Sequence, residues 1–219
     1  MRIECATSRG IDMLFRGALI ETEKARSSFE VVLTTAHGLP SALADLTAQC
    51  AVIGDRGRRY RIEAAWRAPS PNPQIADDWA VLLTAQRMRG AQRRLPVEQI
   101  AAVARDRMAA DVTAVRLPLL TAGVERECFL SKSGLSPAEE IAGLFGHSCL
   151  SWHGHSGSPI LARLGGEIRL IGVHLGSRWF FEERRLVKLG RFVDEAIVEA
   201  IQVAANRGRM RDPGPWGRR

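Results

Sequence analysis

The stretch Ser151-Trp152-His153-Gly154-His155-Ser156-Gly157-Ser158-Pro159 places a serine between two glycines and ends in a proline. Glycine is used where a backbone takes conformations closed to other residues or comes close to a ligand. A serine held on such a tight turn is typical of a nucleophile whose neighbouring N–H groups face a developing oxyanion. An ordinary loop between two strands has the same composition. The interpretation therefore depends on partners elsewhere in the chain.

Two candidate partners lie upstream of this stretch. The first is His37, which ends the apolar run 31–37. The second is an acidic pair, Asp77 and Asp78, which leads directly into the apolar run 79–83. A carboxylate at the mouth of a buried strand is costly unless a partner accepts its charge, and a histidine ring N–H would do so. Because a lone histidine after a strand is more often structural, all three stretches are needed to predict a site.

Together the three stretches carry a resemblance to a known family. Thr35-Ala36-His37, the run from Asp78 to Leu83 (DWAVLL) and 154–159 (GHSGSP) resemble the motifs of the chymotrypsin-like (trypsin-like) serine peptidases. Their order of His, Asp and Ser is that family's order and differs from the orders of subtilisins and α/β-hydrolases. The strands 15–20 and 170–174 also match, so the resemblance covers about residues 12–205. It is nearest to the compact bacterial type that resembles glutamyl endopeptidases.

The resemblance implies an all-β fold of two six-stranded Greek-key β-barrels followed by a C-terminal α-helix. Short apolar runs between turn-rich stretches agree with it, and Gly165-Gly166 predicts a hairpin turn. Apolar residues between 192 and 204 recur at helical spacing, whereas 97–108 gives only a weak helical signal. The expected peptidase domain is 1–206, with parts and a tail as follows: first barrel about 1–90, second barrel about 110–190, helix about 191–206, and a disordered basic tail at 207–219.

The resemblance also implies a catalytic mechanism. Ser156 would attack a peptide carbonyl, His37 would act as the general base and then as the general acid, and Asp78 would orient the histidine. Asp78 is preferred over Asp77 because it immediately precedes the Trp-Ala-Val-Leu run. The backbone N–H groups of Gly154 and Ser156 would form the oxyanion hole.

One residue of the motif departs from the animal digestive members of the family. His155 stands where those enzymes carry an aspartate that pairs with a new N-terminus after zymogen cleavage. An activation ion pair of that kind is therefore not expected. A bulky imidazole beside Ser156 also leaves an alternative open. In that alternative the domain is a catalytically inactive scaffold that binds peptides or a protein partner.

Substrate preference follows from a second histidine. His174 falls where glutamate-preferring bacterial relatives place a histidine at the base of the pocket for the residue before the scissile bond (P1). An imidazole there would hydrogen-bond a P1 carboxylate or amide. Ser151 and Gly176 are further substrate-binding candidates, and Arg178 is an additional donor. Because no acid occupies 150–155, a preference for Arg or Lys is disfavoured.

Composition narrows the class of protein further. The chain has 219 residues, 46% of them hydrophobic, and a formal net charge of +7. Its basic clusters, at 87–94 and 207–219, lack the interleaved aromatics of a nucleic-acid module, so nucleic acid is a disfavoured partner and a protein or peptide substrate is favoured. No run approaches the roughly 18 apolar residues of a membrane span. The N-terminus lacks a secretory signal, which predicts a cytoplasmic protein, or a secreted or periplasmic one if a leader has been removed.

The cysteines and histidines give no metal signature. Four widely spaced cysteines without a C-x-x-C pair argue against structural zinc. His153 and His155 have the H-x-H spacing of some metal sites, but a zinc site would leave the other two motifs unexplained. No metal or cofactor is therefore expected. In a reducing compartment the cysteines are predicted to be buried thiols, whereas Cys128 and Cys149 could pair in an oxidising one.

Overall fold

A computed structural model describes residues 1–6, 13–22, 28–68, 74–89, 93–100, 115–118, 125–132, 135–180 and 184–211. Most of the weak helical signal at 97–108, and the tail from 212 on, lie outside the described residues. The elements, in chain order, are β1 Arg2–Cys5, β2 Met13–Leu19, β3 Val31–Thr34, α1 Leu43–Gln49, β4 Cys50–Ile53, β5 Arg59–Arg67, β6 Ala80–Thr84, β7 Val115–Pro118, β8 Glu125–Cys128, β9 Leu130–Ser131, α2 Pro137–Ile141, β10 Leu144–His147, β11 Pro159–Leu164, β12 Glu167–Phe180, β13 Arg185–Phe192 and α3 Glu195–Arg211.

The first half of the chain forms a closed six-stranded barrel. Its strands are antiparallel and follow the order β1-β2-β3-β6-β5-β4. Both faces of β3 are buried, because Val32 packs inside the barrel while Val31 and Leu33 pack against the second half of the chain. Burial on both faces explains why this strand is continuously apolar rather than alternating. The six strands expected for the first barrel are confirmed.

The second half forms a seven-stranded sheet in the order β8-β7-β11-β12-β13-β10-β9. The predicted hairpin turn is confirmed, because Gly165 and Gly166 join β11 to β12 with φ of 56° and 86°. Only Phe129 separates the two edge strands β8 and β9 along the chain. No helix among the described residues is long and apolar enough to cross a membrane.

Helix α3 begins later and ends later than the sequence predicts. The sequence assigns 191–206 to the helix, but 191–192 belong to β13 and the helix runs through Arg211. Asp194 marks the start, since its Oδ1 accepts a hydrogen bond from the N–H of Ile197 at 3.3 Å. Phe192 and Val193 are buried and apolar, so they mimic the helical period although they precede the helix. Residues 207–211 are helical instead of belonging to a disordered tail.

All four cysteines are paired. Cys128 and Cys149 form the disulfide considered from the sequence. A second disulfide joins Cys5 to Cys50, which are directly opposed in the β1–β4 ladder. The second pair has no local signature in the sequence, because its two cysteines are 45 residues apart and only the β1–β4 pairing brings them together. The interpretation of the cysteines as buried thiols is therefore wrong for this structure.

Candidate active site

A cavity of about 830 Å³ lies between the two halves and contains most of the predicted site residues. His37 reaches it from the segment after β3, and Ser156 and Gly154 reach it from the turn before β11. His174 and Gly176 enter it from β12. The structure thus brings together residues that are more than 100 positions apart in the sequence. His37 follows β3 and Ser156 precedes β11, which explains why these two motifs follow or precede apolar runs.

His37 and Asp78 form a closely bonded pair at one side of the cleft. Asp78 Oδ2 lies 2.6 Å from His37 Nδ1, and Asp78 Oδ1 accepts from the N–H groups of His37 at 2.7 Å and Ala36 at 3.0 Å. The carboxylate is thus fixed by two backbone donors while its second oxygen orients the ring. The hydrogen bond to Asp78 raises the pKa of His37, burial partly opposes this increase, and the charge of Asp78 adds to it.

The neighbouring acid, Asp77, has a different environment. It lies in the short 3₁₀ turn Ile75–Asp77, where its Oδ2 accepts from the N–H of Gln74 at 2.9 Å. Asp77 therefore caps this turn, and Asp78 is the residue that faces His37.

The turn that carries Ser156 is fixed by backbone hydrogen bonds. The Ser156 carbonyl accepts from the N–H of Arg16 at 2.7 Å, and the N–H of Gly157 donates to the His174 carbonyl at 2.7 Å. Gly154 has a φ of 86°, a conformation that favours glycine. Within the described part of the chain, the N–H groups of Gly154 and Ser156 donate to no protein acceptor. These two donors are therefore available to an oxygen atom in the cleft.

His155 fits beside Ser156 without breaking the turn. Its side chain is buried, its ring centroid lies 4.6 Å from that of Trp152, and its N–H donates to the Trp152 carbonyl at 3.1 Å. Burial lowers the pKa of His155, and the nearby charge of Arg16 lowers it further. His155, the residue that departs from the family's motif, is thus a neutral, buried side chain that packs against Trp152.

The second histidine of the cleft, His174, is supported by a third. His147 Nε2 lies 2.9 Å from His174 Nδ1, and both rings are buried. Burial, together with nearby positive groups, lowers the pKa of His174 to about 4. His174 is therefore neutral near pH 7. Ser151 also lines the cavity, and its buried Oγ has no hydrogen-bond partner among the described residues.

Arg178 does not contribute a donor to the cleft, contrary to the prediction from the sequence. Its guanidinium contacts Glu139 at 2.5 and 3.1 Å and lies over the ring of Phe180. The hydrogen bond from Arg178 lowers the pKa of Glu139 to about 2, so the pair is charged. A β-strand alternates its side chains between two faces, and this alternation separates Arg178 from its neighbour Ser177, which does line the cavity.

Among the cleft residues that the sequence does not predict, three are large, exposed and apolar. Leu14, Trp152 and Leu186 line the cavity and are large apolar side chains with 47%, 53% and 53% of their surface exposed. They come from β2, the serine turn and β13. No sequence pattern could group them, because their proximity depends on how the two halves pack.

The histidines do not gather into a metal site among the described residues. No group of three or more His, Cys, Asp or Glu side chains in that part of the chain is arranged to hold a metal ion. His155 packs on Trp152 instead of converging with His153.

The chain resembles solved structures in its fold, but no sequence match was found. No protein-family model and no curated protein sequence matches the chain. Two similar solved structures are a thermostable serine protease, AL20, from an extremophilic microorganism and the protease Anisep from Arthrobacter nicotinovorans. AL20 matches with a TM-score of 0.62 at 12% identity over 94% of this chain and 95% of its own. Anisep matches with a TM-score of 0.58 at 14% identity over 94% of each chain.

These matches define the class of fold. A closed six-stranded barrel, a second antiparallel sheet and a C-terminal helix form the chymotrypsin-like fold of serine proteases. At 12–14% identity the likeness concerns the fold, and the chemistry has to be argued from the cleft.

Proposed function

We propose that the protein is a serine endopeptidase. The observation that carries the proposal is a cleft that combines a histidine oriented by a carboxylate, a serine, and two backbone N–H donors that have no acceptor among the described residues. Nucleophilic catalysis by serine needs these parts: a base, a group that orients the base, and donors for the oxyanion. The likeness to solved serine proteases supports the same conclusion at the level of the fold.

The proposed mechanism assigns one role to each group. His37 Nε2 takes the proton of Ser156 Oγ as that oxygen attacks the peptide carbonyl carbon, and the resulting oxyanion accepts hydrogen bonds from the N–H groups of Gly154 and Ser156. His37 then gives the proton to the leaving amine, and an acyl-enzyme remains at Ser156. Water, activated by His37, hydrolyses this ester. Asp78 keeps the His37 proton on Nδ1 throughout and stabilises the imidazolium.

A fluorophosphonate probe tests the proposed function directly. It is expected to label the wild-type protein at Ser156, to fail on Ser156→Ala, and to label Ser158→Ala, which serves as the control for a serine in the same segment. Peptide-library cleavage should follow the same pattern. If the folded wild type is neither labelled nor active, the enzyme proposal fails, and the inactive scaffold that binds peptides or a protein partner becomes the better description.

The pH profile gives a second prediction. The general base must be neutral, and the pKa of His37 is raised above 6.5, chiefly by its hydrogen bond to Asp78. We therefore expect kcat/KM to rise with pH through a midpoint above 6.5 and to be low below it. Stopped assays in constant-ionic-strength buffers from pH 5 to 9 measure this midpoint. A midpoint below 6.5 would contradict the assignment of His37 as the base.

The proposal includes a preference for acidic or amide P1 residues. His174 and Ser151 supply hydrogen-bonding groups to the cavity, while Gly176 leaves room beside them. Among the residues that line the cavity, none is acidic, which disfavours Arg and Lys at P1. Because His174 is neutral near pH 7, it offers a hydrogen bond without a full charge.

Two further proposals concern the fold and the compartment. We propose that the second sheet also closes into a barrel, because its edge strands β8 and β9 are nearly continuous along the chain. We also propose an oxidising compartment in place of the cytoplasm, since two disulfides are typical of secreted or periplasmic proteins.

A further inference from the structure

Lys188 lies directly behind a residue of the cleft wall, and it belongs to none of the three motifs. It is on β13, two residues after Leu186, so both side chains leave the same face of the strand. Leu186 lines the cavity, as does Ser177, which is directly opposite Lys188 on β12. Lys188 Nζ donates to the carbonyl oxygen of Ser151 at 3.2 Å. Its ammonium group is therefore in contact with a residue of the cavity wall.

The charge of Lys188 is not neutralised within the described part of the chain. None of the ion pairs found there includes Lys188. Of its three N–H donors, the bond to Ser151 uses one. Burial lowers the pKa of Lys188, which is the direction expected for an ammonium group that lacks an acidic partner.

The neighbouring histidines cannot replace this charge. Burial lowers the pKa of both His147 and His174, and Lys188 contributes to the decrease at each. His147 is moreover bonded to His174 Nδ1, which leaves only Nε2 of His174 for a ligand. A carboxylate that entered the cavity would therefore find neutral hydrogen-bonding groups at His174 and Ser151, while the positive charge of Lys188 lies behind them, in contact with the Ser151 carbonyl.

From this arrangement we infer that Lys188 is the residue that determines a preference for a carboxylate at P1. The inference rests on the proposed peptidase function and selects an acidic over an amide side chain. The ammonium group would move from the Ser151 carbonyl to the incoming carboxylate. His174 and Ser151 Oγ, which has no partner among the described residues, would donate further hydrogen bonds to the same carboxylate. A second pocket of about 380 Å³, which shares Leu186 with the cavity, is lined by Lys188 and His147 and gives the lysine side chain room to move.

Matched substrates that differ only in a P1 Glu or Gln test the inference. We expect the Glu/Gln ratio of kcat/KM to fall about 10- to 100-fold in Lys188→Met, as for the loss of a hydrogen bond to a charged group. Lys188→Arg should keep most of the ratio because it keeps the charge. Lys132→Met is the matched control, since Lys132 pairs with Glu140 away from the cleft. An unchanged ratio in Lys188→Met would overturn the inference.

A binding experiment separates this inference from the proposed activity. In the Ser156→Ala background, acetylated tripeptide amides that end in Glu or Gln are titrated by NMR, with and without Lys188→Met. Tighter binding of the Glu peptide that disappears with Lys188→Met supports the inference even if the wild type proves inactive. Equal binding of the two peptides before the lysine is changed refutes the role of Lys188, whatever the activity is. Thermal unfolding of each variant checks that it is folded.

Discussion

Asp78→Asn is expected to lower kcat/KM on a peptide substrate by about 10⁴-fold while the protein stays folded. The amide oxygen of asparagine can still accept from the N–H groups of Ala36 and His37, which Asp78 Oδ1 does now. The amide nitrogen would then face His37 Nδ1, where Asp78 Oδ2 lies at 2.6 Å. Because this nitrogen is a donor, it favours the tautomer in which Nε2 carries the proton. In that tautomer His37 cannot accept a proton from Ser156.

The adjacent acid provides a matched control for this prediction. Asp77→Asn removes the same charge one residue away, but Asp77 Oδ2 accepts only the N–H of Gln74 in the 3₁₀ turn. Such a cap contributes about 1 kcal/mol to stability. Because Asp77 caps the turn and does not orient His37, Asp77→Asn should change activity only a few-fold. Initial rates at pH 8 with matched enzyme concentrations measure both variants. If Asp78→Asn keeps more than a tenth of the wild-type rate, Asp78 is not the residue that orients the base.

The His37–Asp78 pair of the candidate site is predictable from the sequence, because both residues lie next to strand ends. His37 follows β3, Asp78 precedes β6, and β3 pairs with β6 in the same barrel. Once the apolar runs are recognised as adjacent strands, the His–Asp contact follows from their pairing. Ser156 belongs to the other half of the chain; the resemblance in motif order groups it with this pair, and Ser156 and His37 line the same cavity.

Three side-chain contacts of the structure are not predictable from local sequence patterns. Arg178 lies in β12, where successive side chains point to opposite faces of the sheet. Its face depends on the pairing register of the strand, and so does its ion pair with Glu139. The contact of Lys188 with Ser151 has no local sequence signal either, because it joins β13 to the loop between β10 and β11. The Cys5–Cys50 disulfide is not predictable from the sequence, because β1 has no strong strand pattern. Local patterns predict elements, whereas side-chain partners depend on register.

The second large effect is expected at Gly157, whose conformation and surroundings both exclude a side chain. Its φ is 80°, and a Cβ built on it would overlap the Arg16 carbonyl oxygen and Thr34 Oγ1. Those two atoms are hydrogen-bonded to each other at 2.5 Å, and the N–H of Arg16 holds the Ser156 carbonyl. Gly157→Ala must therefore push the serine turn away from the first barrel and break contacts that position Ser156.

We expect Gly157→Ala to lower the free energy of unfolding by roughly 3–5 kcal/mol, as the sum of backbone strain and overpacking, and to abolish fluorophosphonate labelling. Gly166→Ala is the matched control, because Gly166 has a φ of 86° but nothing within 4 Å of a built Cβ. Strain alone should then cost about 1–2 kcal/mol, and labelling should be kept. Urea titration of both variants gives the difference that is due to crowding. Equal destabilisation would mean that the turn is not held against β2, and that another contact positions Ser156.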